Sequence, residues 1–178
     1  RPDSQQADVD PTNDTVVAPP ESLADCVGKL NGAGITFKPA ELPLKQKRGG
    51  TFTCGAEQVV VYLGGPGQVR YNAPPILTCR MALALAEFEK LAQAESERIL
   101  GRRIARFTHI GTYSCRKMAR FDYVSEHSYA NAIDIQAITL DNGKRLTVEK
   151  NFGALNAPPS SDEATFLRRL ANRAFDEE

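Results

Sequence analysis

His127 and Asp134, two residues with metal-binding chemistry, stand seven positions apart in the stretch Ser125-Glu126-His127-Ser128-Tyr129-Ala130-Asn131-Ala132-Ile133-Asp134-Ile135. A neutral imidazole and a carboxylate are both good zinc ligands, with bonds of about 2.0–2.2 Å. The gap allows a loop to fold back so that both reach one ion, and the small Ala130 and Ala132 let the backbone pack closely beneath it. Asp134 lies between Ile133 and Ile135, where burying a carboxylate with no partner is costly and a cation would offset the cost. On spacing alone, the same pair also reads as a surface histidine and a strand-end cap.

These residues need elements to position them. The chain has 178 residues, long enough for one core and too short for two large domains. Its 22 Lys+Arg offset 22 Asp+Glu, so nothing in the balance points to a nucleic-acid partner. No apolar run reaches the roughly 20 residues that span a bilayer, so no transmembrane segment is expected. Residues 1–21, with Pro2, Pro11, Pro19 and Pro20 among Asp, Ser, Gln and Asn, read as a disordered tether. A short helix is expected from a Ser22 cap through Leu23, Cys26, Val27 and Leu30, stopped at Asn31 and Gly32.

From Ile35 to Val69 the pattern is loops and short strands, with Thr51–Cys54 and Val59–Leu63 rich in β-formers and Gly64-Gly65-Pro66-Gly67 as a turn. The clearest helix runs from Leu77 to Leu100, with Met81, Leu85, Phe88, Leu91 and Ile99 on its apolar face and Gly101 as its stop. Strands are expected at Ile104–Tyr113 and Ala132–Leu140. The latter makes a hairpin with Arg145–Glu149 through Asp141-Asn142-Gly143. Ser160 and Glu163 have capping-box spacing ahead of a final helix through Phe166, Leu167, Leu170 and Phe175. The fold class is therefore α+β, a small antiparallel sheet flanked by helices. Four widely spaced cysteines suggest two disulfides, and of the three possible connectivities the favoured one is Cys26–Cys54 with Cys79–Cys115.

The string around His127 resembles the Ser-x-His-x-x-Gly-x-Ala-x-Asp motif of LAS-type (D-Ala-D-Ala carboxypeptidase-like) zinc peptidases. More closely, the chain resembles the bacterial extensin-like C-terminal family, a branch of that superfamily. The likeness spans roughly Cys26 to Leu170, including Leu77-Thr78-Cys79, Leu100-Gly101 and Gly111-Thr112-Tyr113-Ser114-Cys115-Arg116. Ala130 stands where the motif has glycine. The resemblance implies a LAS-peptidase-like domain over residues 22–178, zinc as cofactor, and His127 and Asp134 as its first two ligands. It also implies Arg116 as the group holding a substrate carboxylate or carbonyl oxygen, where a guanidinium fork binds in two places. Ser125 would orient His127, contact substrate or cap the loop, and Cys115 suggests a disulfide pinning that loop.

The third ligand and the general base are implied in a His-x-His segment that these 178 residues do not contain, so the domain is expected to lack its C-terminal segment. The remaining histidine, His109, sits in an apolar-flanked strand and reads as a packing or surface residue. The function implied is cleavage of peptidoglycan stem or cross-link peptides, the alternative being a catalytically incomplete cell-wall binding or scaffold module. Because the chain opens on Arg1 instead of Met, a removed export signal fits, with a periplasmic or secreted location and a membrane tether at the removed N-terminus. A hydroxyproline-rich structural glycoprotein is excluded by 11 prolines without a period.

Overall fold

Cys26 and Leu30, one helical turn apart, are buried on one face of α1 (Leu23–Gly32). The helix ends at Gly32, the expected stop, and is closed there by a Schellman motif. Gly34 takes a φ of 72°. Its N–H donates to the Asn31 carbonyl at 3.1 Å and the Ile35 N–H to the Leu30 carbonyl at 3.1 Å. Ile35 and Leu30 then pack in one apolar cluster. The computed structural model describes residues 23–46, 53–112 and 133–176, so the expected tether and the Ser22 cap lie outside the described residues.

The segment read as loops is instead a long strand, β1 (Thr36–Gln46), antiparallel to β2 (Thr53–Gly64). Pro39 and Pro43 disguise it. Proline cannot donate to a ladder and is confined to edges and bulges, and β1 is an edge strand whose register slips between Ala40 and Leu42 and again between Leu42 and Lys45. After the turn at Gly65–Gln68, closed by the Gln68 N–H on the Gly65 carbonyl at 3.1 Å, come β3 (Arg70–Tyr71) and β4 (Ile76–Thr78). β4 pairs with the other side of β2, Val59 opposite Thr78.

That pairing delays the long helix. α2 runs Cys79–Leu100, not from Leu77, and Thr78 caps it by accepting from the Met81 N–H at 3.2 Å. Gly101, with φ 64°, ends it as expected. Its buried face only partly follows the expected stripe, of which Leu85 alone is fully buried. Ala82, Leu85, Ala86, Glu89, Ala92, Gln93 and Ser96 are buried, whereas Met81, Phe88, Leu91 and Ile99 are only half-buried at the margins. Small side chains let α2 approach its neighbours closely, and the polar ones on this face carry hydrogen bonds. The Gln93 amide donates to the carbonyls of Gly67 (2.9 Å) and Ile104 (2.8 Å) and accepts from the Ile104 N–H at 2.7 Å.

β5 (Ile104–His109), β6 (Ile135–Leu140) and β7 (Arg145–Thr147) are the other strands among the described residues. Two small sheets therefore stand where one antiparallel sheet is expected. The first has the order β1-β2-β4, and the second has the order β3-β5-β6-β7 with β3 parallel to β5. The β6–β7 hairpin turns at Asp141-Asn142-Gly143, with Gly143 at φ 86°. β7 ends at Thr147, earlier than expected, because that residue caps the short helix α3 (Val148–Asn151). The last helix, α4 (Asp162–Asp176), is capped by Ser161, one residue after the expected Ser160. The Ala164 N–H donates to the Ser161 hydroxyl at 3.1 Å.

Two clusters form the core. One gathers α1, β2, β4 and the start of α2. The other gathers β5, β6, β7 and α4 around Phe107, Ile138, Leu146 and Phe166. Tyr71 and Phe88 touch both. Glu95 ties α2 to α4 through Arg169, 3.1 Å away. The described disulfide is Cys26–Cys79, with Cα atoms 5.8 Å apart. This corrects the expected Cys26–Cys54 and Cys79–Cys115 pairings, since each thiol takes one partner. Sequence spacing could not show that α1 lays Cys26 against the first turn of α2. Among the described residues, no helix is long and apolar enough to cross a membrane.

Candidate functional site

Asp134 immediately precedes β6, and the structure holds it there by its backbone. Its carbonyl accepts from the Ile110 N–H at 3.1 Å and its N–H donates to the Gly111 carbonyl at 3.4 Å. These rungs extend the β5–β6 ladder past His109, which pairs with Ile135. Gly111 has φ 139°, a region that L side chains rarely adopt. Thr112 is fixed to the first sheet, its hydroxyl accepting from the Ile76 N–H at 3.2 Å. The chain thus leaves the described fold at Thr112 and rejoins it at Ile133, beside its point of departure. Arg116, Ser125 and His127 all belong to the intervening segment and lie outside the described residues, as does Cys115.

The side chain of Asp134 is exposed, while Ile133 and Ile135 are half-buried. This corrects the premise that flanking isoleucines bury the carboxylate. Ile133 and Ile135 turn towards the core clusters while Asp134 and Gln136 are exposed, so period-two alternation itself places the carboxylate outward. An exposed carboxylate on a backbone fixed by two ladder bonds is a chemically suitable oxygen ligand for zinc. Among the described residues, no three His, Cys, Asp or Glu side chains are placed to hold a metal ion.

His109 faces the core. Its Nε2 lies 2.7 Å from the Ala73 carbonyl, which can only accept, so the proton sits on Nε2. Nδ1 is buried with no hydrogen-bond partner. The packing role expected for this histidine is the one observed. Asn72 clamps the same residue through the backbone: its amide donates to the His109 carbonyl at 3.0 Å and accepts from the His109 N–H at 2.9 Å. The side chain thereby substitutes for one more residue of β3 pairing and steadies the strand end from which Asp134 is hung. Nothing in the sequence pattern marks Asn72 for this task.

A second titratable cluster is buried behind this strand end. Tyr62 and Glu89 are fully buried, and the Tyr62 hydroxyl donates to the Glu89 carboxyl. Burial pushes the Glu89 pKa up, partly opposed by the Tyr62 hydrogen bond. Burial likewise raises both Tyr62 and Tyr71. Among the described residues, Glu89 Oε1 and the Tyr71 hydroxyl are buried without a hydrogen-bond partner. The ring of Tyr71 makes edge contacts with Tyr62 (5.7 Å between centroids), Phe107 (5.8 Å) and His109 (6.3 Å), joining the cluster to the strand end. The glycine turn lies directly on Glu89. A Cβ at Gly67 would meet the Glu89 Cβ at 2.7 Å, and one at Gly65 would run into the Tyr62 hydroxyl and the Glu89 carboxyl. Sequence reasoning missed this cluster, although Glu89 follows Leu85 and Ala86 on one helical face and that spacing was a usable signal.

The class defined so far is an α+β domain of two small sheets joined by one long helix, with the exposed carboxylate of Asp134 at the head of β6. The family model for the extensin-like protein C-terminus matches residues 24–176, and the chain belongs to that family. No curated protein and no solved structure matches it.

Proposed function

We propose that this domain is a zinc-dependent peptidase of the LAS type, acting on peptidoglycan stem or cross-link peptides in a periplasmic or secreted setting. The observation that carries the reading is the placement of Asp134, the last residue of the Ser-x-His motif string, on a fixed backbone beside the point where residues 113–132 begin and end. Family membership over residues 24–176 supports it. In this reading Asp134 and His127 hold the zinc, Arg116 grips a substrate carboxylate or carbonyl oxygen through its fork, and Ser125 orients His127. When bound, zinc would polarise the scissile carbonyl and lower the pKa of a coordinated water. The Asn72 clamp and the Ile110–Asp134 rung hold the backbone that carries this carboxylate.

The test takes the natural full-length protein. Calorimetric zinc titration and peptide release from purified sacculi are measured for wild type, Asp134→Asn and Asp141→Asn, a control at the hairpin turn. The reading expects at least a tenfold weaker zinc affinity and loss of chelator-sensitive release in the first variant alone. Tight zinc binding unaffected by Asp134→Asn would remove Asp134 from the site. Absence of both zinc binding and release would favour the alternative, a cell-wall binding or scaffold module of the same fold.

A further inference from the structure

Three arginines form one row across the second sheet. Arg70 on β3 pairs with Arg106 on β5, Arg106 pairs with Thr139 on β6, and Thr139 pairs with Arg145 on β7. Register partners project to the same face. This face is opposite the core, because the next residue along each of the three arginine-bearing strands, Tyr71, Phe107 and Leu146, packs into the second cluster. All three arginines are exposed. None of their side chains makes a hydrogen bond or ion pair among the described residues, whereas Arg103 and Arg169 on other surfaces are paired with Glu97 and Glu95. Of the two acids four residues from Arg145, Asp141 pairs with Arg102, and Glu149 lies on α3, beyond the end of the strand. The four strands carry no Asp or Glu.

Like charges opposite one another in a sheet are destabilising, so stability gives no reason for this row. The chain's formal net charge is zero, so the row is a local feature and not the by-product of a basic protein. Strands lie about 4.8 Å apart, which spreads the row over about 14 Å in a straight line. The neighbouring rung, Thr108, Ala137 and Thr147, is uncharged. A planar anionic surface such as a membrane would be met by charge spread in two dimensions, so a line of charge favours a linear partner. Arg70 and Arg106 sit on adjacent strands, close enough to converge on one anion. A carboxylate's two oxygens are satisfied by a single guanidinium fork, whereas a phosphate group has oxygens for two. The strand residues on this face include no aromatic side chain on which a nucleobase could stack.

We propose that the outer face of the second sheet, through Arg70, Arg106 and Arg145, docks a linear phosphate polymer that carries no nucleobases. Arg70 and Arg106 share one phosphate, Arg145 takes a phosphate further along, and the Thr139 hydroxyl lies between them. Docking of this kind would hold the domain on an anionic polymer independently of any chemistry at Asp134.

The test is fluorescence anisotropy with labelled long-chain inorganic polyphosphate at 50 to 200 mM salt, on wild type, Arg106→Gln, Arg106→Lys and the double variant Arg70→Gln/Arg145→Gln. Arg173→Gln, which removes an exposed charge on α4, is the control. Circular dichroism confirms that each variant is folded. The expected result is about a tenfold loss for Arg106→Gln and a larger loss for the double variant. Arg106→Lys should fall between, because it keeps charge and loses the fork. The log–log salt slope should become shallower by about 0.7 for each phosphate contact removed. Equal weakening by Arg173→Gln would overturn the proposal, as would no binding at 50 mM salt. Tighter binding to single-stranded DNA, poly-glutamate or phosphatidylglycerol vesicles than to polyphosphate would overturn the choice of partner.

Discussion

The Cys26–Cys79 bridge closes a loop of 53 residues that contains β1, β2, β3 and β4. Replacing both cysteines by alanine lets the unfolded chain explore conformations that the cross-link forbids. On the loop-entropy relation, 53 residues correspond to about 14 cal/mol/K, or about 4 kcal/mol at 25 °C. For a chain of this size that amounts to a fall in Tm of roughly 10 °C. The bridge also fastens α1, whose Leu30 packs with Ile35 in the first cluster, so hydrogen exchange in α1 should accelerate more than in α4. The assay is urea unfolding followed by circular dichroism on the oxidised protein and on Cys26→Ala/Cys79→Ala. A loss below about 1 kcal/mol would refute the argument that this loop is closed in the native molecule. Peptide mapping of unreduced protein that finds Cys26 joined to any cysteine other than Cys79 would refute the pairing itself.

Glu89→Gln should change stability in a pH-dependent way. Burial raises the Glu89 pKa in the fold, so the stability that its neutral form contributes is fully present below the unfolded value of about 4.3 and is lost as pH rises through the higher folded value. Glutamine stays neutral throughout. The variant should therefore gain on wild type between pH 4 and pH 8 in urea midpoints, and parallel curves would contradict the burial of an ionisable carboxyl. Ser161→Ala should cost about 1 kcal/mol through loss of the α4 cap, against less than about 0.5 kcal/mol for Ser160→Ala. The reverse order in thermal unfolding would restore the capping box at Ser160.

The helices and the hairpin were legible because their signals are local. Gly101 ends α2, Asp141-Asn142-Gly143 turns the hairpin, and the Phe166, Leu167 and Leu170 stripe buries α4. β1 was not legible, because Pro39 and Pro43 argue against a strand unless its edge position and bulges are known. The buried face of α2 was misjudged for a related reason. Periodicity ranks Leu and Phe above Ala, while close packing selected Ala82, Ala86 and Ala92 and left room for Glu89 and Gln93. Of the candidate site, the approximate start of the Asp134 strand could be read from Ile135 and Ile138, and alternation between two inward isoleucines dictates the exposure of Asp134, but the rungs to Ile110 and Gly111 that hold it could not be read. The Asn72 clamp and the arginine row are invisible in one dimension, since each joins residues that only strand pairing makes neighbours.

The turn resting on Glu89 also orders the substitutions that descendants of this chain can accept. At Gly65 the obstacles are a phenol oxygen and a carboxyl tip, so trimming positions 62 and 89 first would open that position to alanine. At Gly67 the obstruction includes the Glu89 backbone itself, at 3.1 Å, and no replacement at position 89 clears it. The two glycines look alike in the sequence, yet one is contingent on its neighbours' history and the other is locked by the path of the chain.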